Sequence, residues 1–496
     1  MKTKQEIALF TLCLIAVLLS GWILQFDIPQ KWKFAFLMAL GIAVLMLIGR
    51  RPKRILLFLL AFTGSLYFAK PLIEHTRYFG LESAVSVSHT DVLALLLLLY
   101  FLAQLAVRQA KIYFFPIIIV PALAWLAFSS LSLFSAGDGE FVIIQLINMG
   151  KLLMLCWIIA NSVENEVDLN WVLTGLMIGM VFQALVGIYQ GTTGNPLGLD
   201  FLNETTAVHK QELNQGLVNR VQGTIGHPNS YAMYITTVIP FAWALLFSRI
   251  SRLFKFLVSI TFCLGCVALI LSLSRAAWIS FLAIISIGLV LAVRRKRIIS
   301  GAALRIAGAT SLLLLGLTFF GPKIILSRLT SSDQGSASSR IKLAQIALDI
   351  IKDHPLVGIG LNNYSLVSPE YGGIVIGREY IVHSAFLLIA AETGLIGLAA
   401  FIIFLAVLLI KSWRIIIRAP NDTVWVAGVG IFSAYVALVL HSLVDYALLG
   451  SLQLITQFWL LAGLTAALIQ RVDHKEQEGL RVPNVSNAMA RNFHLY

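Results

Sequence analysis

The chain has 496 residues, of which 58% are hydrophobic and only 12% are charged, and its mean hydropathy is +0.86. An ordinary soluble domain carries roughly 25% charged residues, so this composition excludes one and indicates a polytopic membrane protein. The net charge of +13 could indicate nucleic-acid binding, but the basic residues are dispersed in short clusters between apolar segments. Nucleic acid is therefore not predicted as a partner.

Fourteen segments approach the roughly 20 largely apolar residues that a transmembrane helix needs. The runs show no alternation of period two, so they predict helices and not strands. The first run lacks a small-residue cleavage site and is predicted as a retained helix, not a signal peptide. The predicted spans begin near Ile7, Lys33, Ile55, Asp91, Tyr113, Val142, Trp171, Asn229, Phe256, Ala276, Ala303, His383, Thr423 and Ala447.

Short clusters of Lys and Arg alternate along the chain in a way that indicates its orientation. They fall on one side of the membrane if the N-terminus is cytoplasmic, which also places the C-terminus inside. One connection on that side, 161–170, is acidic, but acids contribute little to this rule. The clusters are Arg50–Arg54, Arg108 with Lys111, Arg249 with Arg252 and Lys255, Arg294–Arg297, Lys411 with Arg414 and Arg418, and Arg471 with Lys475.

The apolar run 256–293 is too long for one spanning helix. As a single helix it would extend for about 57 Å, far beyond the hydrocarbon core. Because basic clusters flank both of its ends, the run predicts a helical hairpin that breaks near Arg275. A similar tight turn is predicted at 443–447, with Asp445 at its tip.

Three external connections are longer than a turn: 72–90, 190–228 and 321–382. The last is a large polar loop in an otherwise apolar chain, and chemistry is expected there. Within it, 338–353 opens on a serine cap signal and predicts an amphipathic helix on the membrane surface. Its apolar positions at helical spacing are Ile341, Ala344, Leu348 and Ile351.

A proline and two glycines follow this predicted helix. Pro355 ends it, because proline cannot continue a helix from the preceding turn. Gly358 and Gly360 then predict a turn whose backbone N–H groups can approach a ligand.

Three arginines on the external side are candidate phosphate ligands, because arginine stays charged and can form paired bonds to phosphate oxygens. Arg220 precedes the eighth span, Arg275 lies in the hairpin turn, and Arg340 lies on the surface helix. Structural alternatives remain: the Arg220 side chain could reach to lipid headgroups, and Arg340 could be a surface residue of the helix without a functional role. A functional role is favoured most at Arg275, since a charge at membrane depth is costly unless paired.

His383 begins the twelfth span and is the candidate general base. A pKa near neutrality suits histidine to accept a proton from a sugar hydroxyl, although an interfacial or capping histidine is the alternative. Glu392 lies about 14 Å deeper along the same helix and must be paired or protonated. Lys151 and Asp445 are candidate partners for Glu392 or Arg275.

The sequence predicts neither a metal site nor a cofactor. His227, His354 and His441 lack metal-ligand spacing, and the external loops contain no Asp-x-Asp motif. The four cysteines fall within predicted spans, where small core residues are expected. These are Cys13, Cys156, Cys263 and Cys266.

Four segments, taken in order, resemble the family of O-antigen ligases and Wzy-type polysaccharide polymerases, a group that includes polymerases of teichuronic-acid type. The resemblance covers about 220–445, whereas the first 200 residues match only in hydropathy. The four segments are Arg220–Asn229 before a span, Ser274–Trp278 at a span junction, Ser339–Arg340 followed by Asp353–Gly360, and His383 followed by Glu392–Gly397.

The resemblance implies an all-α polytopic membrane protein of the GT-C class, with about 12–14 transmembrane helices. It divides the chain into N-terminal transmembrane helices (1–200), a ligase- or polymerase-like membrane domain (201–470) that includes the loop, and a cytoplasmic tail (471–496). Family ligases are usually drawn with twelve spans, so the count of fourteen departs from the pattern. Ser384 departs too, since relatives commonly have asparagine there.

The resemblance also implies an activity: a metal-independent glycosyltransferase of the bacterial inner membrane. Its donor would be an undecaprenyl-pyrophosphate-linked glycan at the external face, its acceptor a glycan or lipid, and a chain-length regulator a further partner. In this scheme His383 is the base and Arg220, Arg275 and Arg340 bind the pyrophosphate. The supporting residues are Asn229, Glu392, Gly358 and Gly360.

The acceptor is left open by the sequence. A lipid-linked repeat unit as acceptor makes a polymerase, which we favour, whereas a lipid or protein acceptor makes an O-antigen-type ligase. A flippase or transporter of lipid-linked glycan is an alternative of a different class. The long external loop favours a fixed external site over alternating access.

Overall fold

A computed structural model describes residues 33, 41, 51–74, 84–213, 216–294, 327–328, 336–375, 378–379 and 381–481. Over these ranges the chain is an all-α polytopic membrane protein, as predicted. The predicted spans that begin near Ile7, Lys33 and Ala303 lie outside the described residues, as does Cys13. The other three cysteines lie within membrane helices, as expected.

Nine helices in the described ranges are long and apolar enough to cross a membrane. Each corresponds to a predicted span. The membrane helices, in chain order, are α1 (Pro52–Thr63), α2 (His89–Ala106), α3 (Pro116–Ser130), α4 (Gly139–Ser162), α5 (Glu166–Thr193), α6 (Pro228–Leu246), α7 (Arg252–Leu271), α8 (Arg275–Arg294), α11 (Ala385–Ile417), α12 (Asp422–Ser442) and α14 (Leu452–Arg481). The remaining helices are α9 (Ser336–Asp353), α10 (Tyr364–Val367) and α13 (Ala447–Gly450).

Helices α1 and α6 are the two that occupy predicted spans without meeting the length and hydropathy expected of one. The first has only 12 described residues. The second has 19 residues, is rich in hydroxyl and aromatic side chains, and is buried along nearly all of its length. It packs against α5, α7, α8 and α12 at the centre of the helix bundle. A helix surrounded by protein does not need an apolar surface for lipid.

Each of the three predicted external connections contains a two-stranded antiparallel hairpin. The strand pairs are β1 (Ala69–Glu74) with β2 (Ala84–Ser88), β3 (His209–Leu213) with β4 (Gly216–Arg220), and β5 (Ile374–Val375) with β6 (Arg378–Glu379). In the second hairpin His209 is opposite Arg220. The described parts of these connections are therefore folded, and the register of β3 and β4 sets where Arg220 lies.

The predicted break in the 256–293 run is confirmed. Helix α7 ends at Leu271 and α8 begins at Arg275. Between them Leu273 has a φ of 53°, an unusual value for a residue other than glycine. The indole N–H of Trp278 donates to the carbonyl of Leu269, 3.0 Å away, and ties the two helices together across the turn.

The acidic connection that opposed the charge rule forms ion pairs with a basic cluster. Lys53 lies 2.7 Å from Glu164 and 2.8 Å from Asp168, and Arg54 lies 2.9 Å from Asp168. The acids therefore belong to the same end of the bundle as the basic residues. We call it the basic end; the α11–α12 connection lies there too, since the carboxylate of Asp422 accepts the backbone N–H of Arg249 at 2.9 Å.

Helix α9 exists where an amphipathic helix was predicted, and two residues of the face predicted to lie on the membrane surface do not pack on the protein. Ile341 and Leu348 are 71% and 49% exposed. The buried residues are instead Leu343, Ile346, Ala347 and Ile350. The last three pack in a cluster with the start of α11. Apolar side chains occupy both faces of this helix, so periodicity alone did not identify the face that meets the protein.

Helix α11 is interrupted at Gly394, where φ is 67° and ψ is −177°. The segment 355–360 packs into this interruption. The N–H groups of Leu395 and Ile396 donate to the carbonyls of Pro355 and Leu356, 2.8 and 3.4 Å away. The external loop is therefore joined to the membrane helix by backbone hydrogen bonds.

Candidate active site

The turn between α7 and α8 holds three arginines, which we call the turn arginines: Arg220, Arg275 and Arg328. Arg220 Nε donates to the carbonyl of Ser272 at 2.8 Å, and Arg328 Nε donates to that of Leu273 at 3.1 Å. Arg275 is the first residue of α8. The carbonyls of the turn thus orient two guanidinium groups beside a third arginine.

Both of the oriented arginines are buried: Arg220 is 8% exposed and Arg328 is 5% exposed. For Arg220, this excludes the alternative of a side chain that reaches to lipid headgroups. A buried cation is costly unless it is hydrogen-bonded and balanced by negative charge. The contacts of the arginines with turn carbonyls supply part of this compensation, and Asp445 supplies a full negative charge nearby.

A chain of hydrogen bonds links Arg220 to Asp445. Arg220 Nη2 donates to Asn229 Oδ1 at the start of α6. The amide nitrogen of Asn229 then donates to Asp445 Oδ2 at 2.9 Å, and Asp445 Oδ1 accepts the N–H of Ala447 at 2.8 Å. The amide oxygen of Asn229 therefore accepts a hydrogen bond from a cation, and its amide nitrogen donates one to a carboxylate.

His383 lies beside Asp445, immediately before α11. The side chain of Ser384 caps that helix, and the N–H of Ala385 donates to the carbonyl of Asp445 at 3.2 Å. The imidazole is half-buried and packs against the ring of Tyr446, with centroids 5.6 Å apart. Its Nδ1 is buried and has no hydrogen-bond partner among the described residues.

Burial favours a neutral imidazole at His383. Burial lowers the pKa of His383 below its usual value, Arg340 lowers it further, and Asp445 opposes both. A neutral imidazole can accept a proton, and the carboxylate stabilises the imidazolium that then forms. Arg340 itself is exposed on α9, yet close enough to act on His383.

A second histidine shares this environment. Burial lowers the pKa of His227 to about 4, with further lowering by Arg220, His209 and His383 and an opposing effect of Asp445. His227 Nδ1 accepts the N–H of Asn229 at 3.3 Å and caps α6. Neutral His227 therefore helps to hold Asn229 in its bridging position.

Glu392 lies on α11, after His383 along the chain, and Gly358 and Gly360 lie against it. The Glu392 carboxylate accepts the N–H of Tyr364 at 3.3 Å, and its main-chain carbonyl accepts the N–H of Gly360 at 3.0 Å. Gly358 has a φ of 70°, and a Cβ there would lie 2.4 Å from the carbonyl carbon of Glu392. This turn packs on α11, and the N–H of Gly360 is satisfied by the helix.

Of the two candidate partners for buried charge, only Asp445 lies in this site. Lys151 forms an ion pair with Asp91 at 3.2 Å. Glu392 is stabilised by backbone N–H groups rather than by a cation. Within the described ranges, no group of three or more His, Cys, Asp or Glu residues is arranged to hold a metal ion.

Sequence reasoning missed three participants. Arg328 lies in a stretch without periodicity, and only its position in the polar loop could have drawn attention to it. His227 and His441 were considered only as metal ligands. His441 is fully buried, and neither ring nitrogen has a hydrogen-bond partner among the described residues.

Comparison with known families identifies the central part of this site. Residues 260–402 match the family model described as O-antigen ligase. These residues form an O-antigen ligase domain. The resemblance deduced from the sequence is thereby confirmed over 260–402, which is similar to membrane enzymes of the O-antigen ligase and polymerase type. No match to a curated protein was found.

The O-antigen ligase domain contains Arg275, Arg340 and His383, together with Glu392. Arg220, Asn229 and Asp445 lie outside the matched segment but are joined to it by hydrogen bonds. The physical site is therefore wider than the matched segment. A strand before the matched segment and a turn after it supply Arg220 and Asp445, the cation and the carboxylate of this site.

Proposed function

We propose that the chain is a glycosyltransferase that transfers or polymerises oligosaccharide units carried on undecaprenyl pyrophosphate, at the external face of the bacterial cytoplasmic membrane. One observation carries the proposal: a half-buried histidine and three arginines converge on one end of a membrane bundle that contains an O-antigen ligase domain. A proton acceptor and a cluster of cations are what transfer from a pyrophosphate requires.

In the proposed reaction, the acceptor hydroxyl attacks the anomeric carbon of the donor sugar. The hydroxyl proton passes to the imidazole of His383, while the bond between the anomeric carbon and the pyrophosphate oxygen breaks. The leaving pyrophosphate keeps the electron pair and gains negative charge. The turn arginines, with Arg340, stabilise that charge. Asp445 stabilises the imidazolium.

The external location is supported by the charge of the bundle. The site lies where α7 ends and α11 begins, at the opposite end of these helices from the basic end. Basic clusters favour the cytoplasmic side of a bacterial membrane. On this basis the site faces outward and both termini face the cytoplasm.

Polymerase is our first proposal for the acceptor, with a second lipid-linked unit as nucleophile. A ligase with a lipid or protein acceptor is the second candidate, and the description of the matched family favours it. The two differ in product: a polymerase makes long chains from donor alone, whereas a ligase needs a separate acceptor. A chain-length regulator would be a further partner of the polymerase.

The deciding experiment supplies undecaprenyl-pyrophosphate repeat units alone to the purified protein in lipid nanodiscs and measures product size. His383→Ala is the test variant, and His354→Ala at the exposed end of the loop helix is its matched control. Long chains from wild type and control, but not from His383→Ala, support a polymerase. Product only after addition of an acceptor supports a ligase. Unchanged turnover in His383→Ala rejects the proposed base.

The arginines are tested by Arg275→Lys, which keeps the charge but removes the paired donors. Loss of one preorganised electrostatic contact typically slows catalysis by about 100- to 1000-fold. Arg294→Lys is the control, because Arg294 is the exposed arginine at the other end of the same helix. Near-normal activity of Arg275→Lys in a folded protein would contradict paired recognition of pyrophosphate by this residue.

A further inference from the structure

A cavity lies in the bundle beside the site described above. Its enclosed volume is about 80 Å³, and with the open space at its mouth it measures about 1140 Å³. Helices α2, α4, α11 and α14 line it, together with the hairpin of β1 and β2. Leu449 lies on its wall, while Tyr446, three residues earlier, contacts His383. One short turn of chain separates the cavity from the candidate base.

The charged groups of the cavity wall already have partners. The Lys151 ammonium donates to the carbonyl of Ser86 at 2.5 Å and to the Asp91 carboxylate at 3.2 Å. The Glu392 carboxylate accepts backbone N–H groups. A bound anion would have to displace Asp91 from Lys151, so this wall favours an uncharged ligand, unlike the turn arginines.

Uncharged polar atoms of the wall, in contrast, lack partners. Gln145 Oε1, Thr456 Oγ1 and Trp459 Nε1 line this cavity, and each is buried without a hydrogen-bond partner among the described residues. Thr456 and Trp459 are each only 1% exposed. Buried polar atoms without partners are costly and indicate a group that is present in the working protein. The set contains an acceptor, a donor and a hydroxyl that can be either.

An aromatic wall stands next to these atoms. The rings of Trp125 and Trp459 are parallel within 10°, with centroids 6.1 Å apart, and both line the cavity. A ligand that fits must therefore offer an apolar surface and several hydroxyl or amide groups. A sugar ring has both, with C–H groups on its faces and hydroxyl groups at its edge.

We propose that this cavity is a saccharide subsite that binds one uncharged sugar residue of the glycan substrate. The proposal rests on the proposed function, because it assigns a part of that substrate to the cavity. A sugar held behind Tyr446 would fix the glycan relative to His383, while the turn arginines hold the pyrophosphate. The site would thus separate the uncharged and the anionic parts of its substrates.

Binding is tested without catalysis, in full-length protein labelled with 5-fluorotryptophan in lipid nanodiscs. The probes are methyl glycosides of neutral hexoses and of N-acetylhexosamines, with inorganic pyrophosphate for comparison. Trp459→Phe identifies the fluorine signal of Trp459. We expect at least one glycoside to shift this signal in a saturable way and pyrophosphate not to shift it. A signal that no glycoside shifts overturns the proposal and leaves a water-filled cavity.

The variant Thr456→Val removes the unpartnered hydroxyl, and Gln145→Leu removes the unpartnered oxygen with the rest of its amide, each at nearly constant volume. Loss of a hydrogen bond between uncharged groups predicts about a threefold to tenfold weaker glycoside binding in each. Thr465→Val is the matched control: Thr465 lies on the same helix, is fully buried and bonds Tyr435 outside the cavity. Unchanged affinity in both test variants overturns the proposal.

Stability distinguishes a binding role from a structural one. Thr456→Val removes a hydroxyl without a partner, so the ligand-free variant should melt at or above the temperature of wild type. Thr465→Val breaks a hydrogen bond and should melt lower. A large loss of stability in Thr456→Val would show that the hydroxyl supports the fold, and would overturn the subsite.

Failure of the subsite and failure of the proposed function give different results. If glycosides bind but His383→Ala retains full transfer activity, the proposed saccharide subsite is supported and the proposed base is rejected. If transfer depends on His383 but Thr456→Val keeps the wild-type KM for the glycan and the wild-type glycoside affinity, the function stands and the subsite is rejected.

Discussion

Replacement of Gly394 by alanine should be among the most destabilising single changes in the chain. Its φ of 67° with ψ of −177° is a region that is essentially restricted to glycine, and another residue there costs about 1–3 kcal/mol. An alanine Cβ would also lie 2.1 Å from the carbonyl oxygen of Leu356 and 2.2 Å from its carbon. These are backbone atoms, so no side-chain rotation relieves the clash.

The clash adds to the conformational cost. Overpacking typically costs about 1–3 kcal/mol. Moving the segment 355–360 away would also break the two hydrogen bonds from Leu395 and Ile396, at about 1 kcal/mol each. The sum for Gly394→Ala is about 4–8 kcal/mol, a large part of the stability of a typical domain.

Thermal unfolding in nanodiscs, followed by tryptophan fluorescence, tests the expected loss of stability in Gly394→Ala. Gly372→Ala is the first control: Gly372 has a φ of 78°, but no atom lies within 4 Å of its Cβ position, so only the backbone cost of about 1–2 kcal/mol applies. Gly150→Ala is the second control, in helix α4 with open space around it, and should stabilise by up to about 1 kcal/mol. If Gly394→Ala and Gly372→Ala melted at the same temperature, the proposed packing of the loop into α11 would be wrong.

The remaining predictions concern the candidate active site. A general base loses activity as pH falls through its pKa. Asp445→Asn removes the group that raises the pKa of His383, so it should move the acid limb of the pH–rate profile to lower pH, whereas Arg340→Gln should move that limb to higher pH. Profiles equal to that of wild type would refute the electrostatic assignment. If Arg328 contacts pyrophosphate, Arg328→Lys should reduce the turnover number about 100-fold or more and leave the melting temperature unchanged. If the role of Arg328 is purely structural, the variant should have a lower melting temperature and near-normal turnover in its folded fraction. Asn229→Leu should lower turnover about tenfold or more, because it removes the donor to Asp445 Oδ2, and wild-type turnover in the folded variant would show that the bridge is dispensable.

Much of the membrane architecture followed from the sequence, because bilayer thickness limits what an apolar run can do. The break before Arg275 is the clearest case: a continuous helix would be too long, and charges at both ends required a return. The same reasoning located the turn that contains Asp445. These inferences use only the length of an apolar run and the charges that flank it, and both can be read directly from the local sequence.

The packing of the polar loop did not follow from the sequence. Helix α9 has apolar residues on opposite faces, and the spacing of Ile341 and Leu348 gave no sign that Leu343 on another face would be buried against the protein. Gly394 lies in an apolar stretch and resembles any tolerated glycine, although it creates the break that receives the loop. Gly358 and Gly360 were correctly recognised as a turn, but the turn packs against a helix.

The site was found only in part, because its parts are distant in sequence. His383 and the three predicted arginines have residue types that point to phosphate and proton chemistry. Nothing local indicated that Asn229 would bridge to Asp445 or that Arg328 would bond the α7–α8 turn. Such contacts depend on which helices become neighbours, and apolar helices of similar length do not specify that in their sequences.

The bond between Asn229 and Asp445 has a consequence for how the protein is made. The two residues are 216 positions apart, and Asp445 follows twelve of the described helices, α1 to α12. A nascent or truncated chain that lacks this turn can carry the histidine and every arginine of the site, yet it holds none of them against the carboxylate. On the proposed mechanism, catalytic competence would therefore arise only after the turn that contains Asp445 has been inserted.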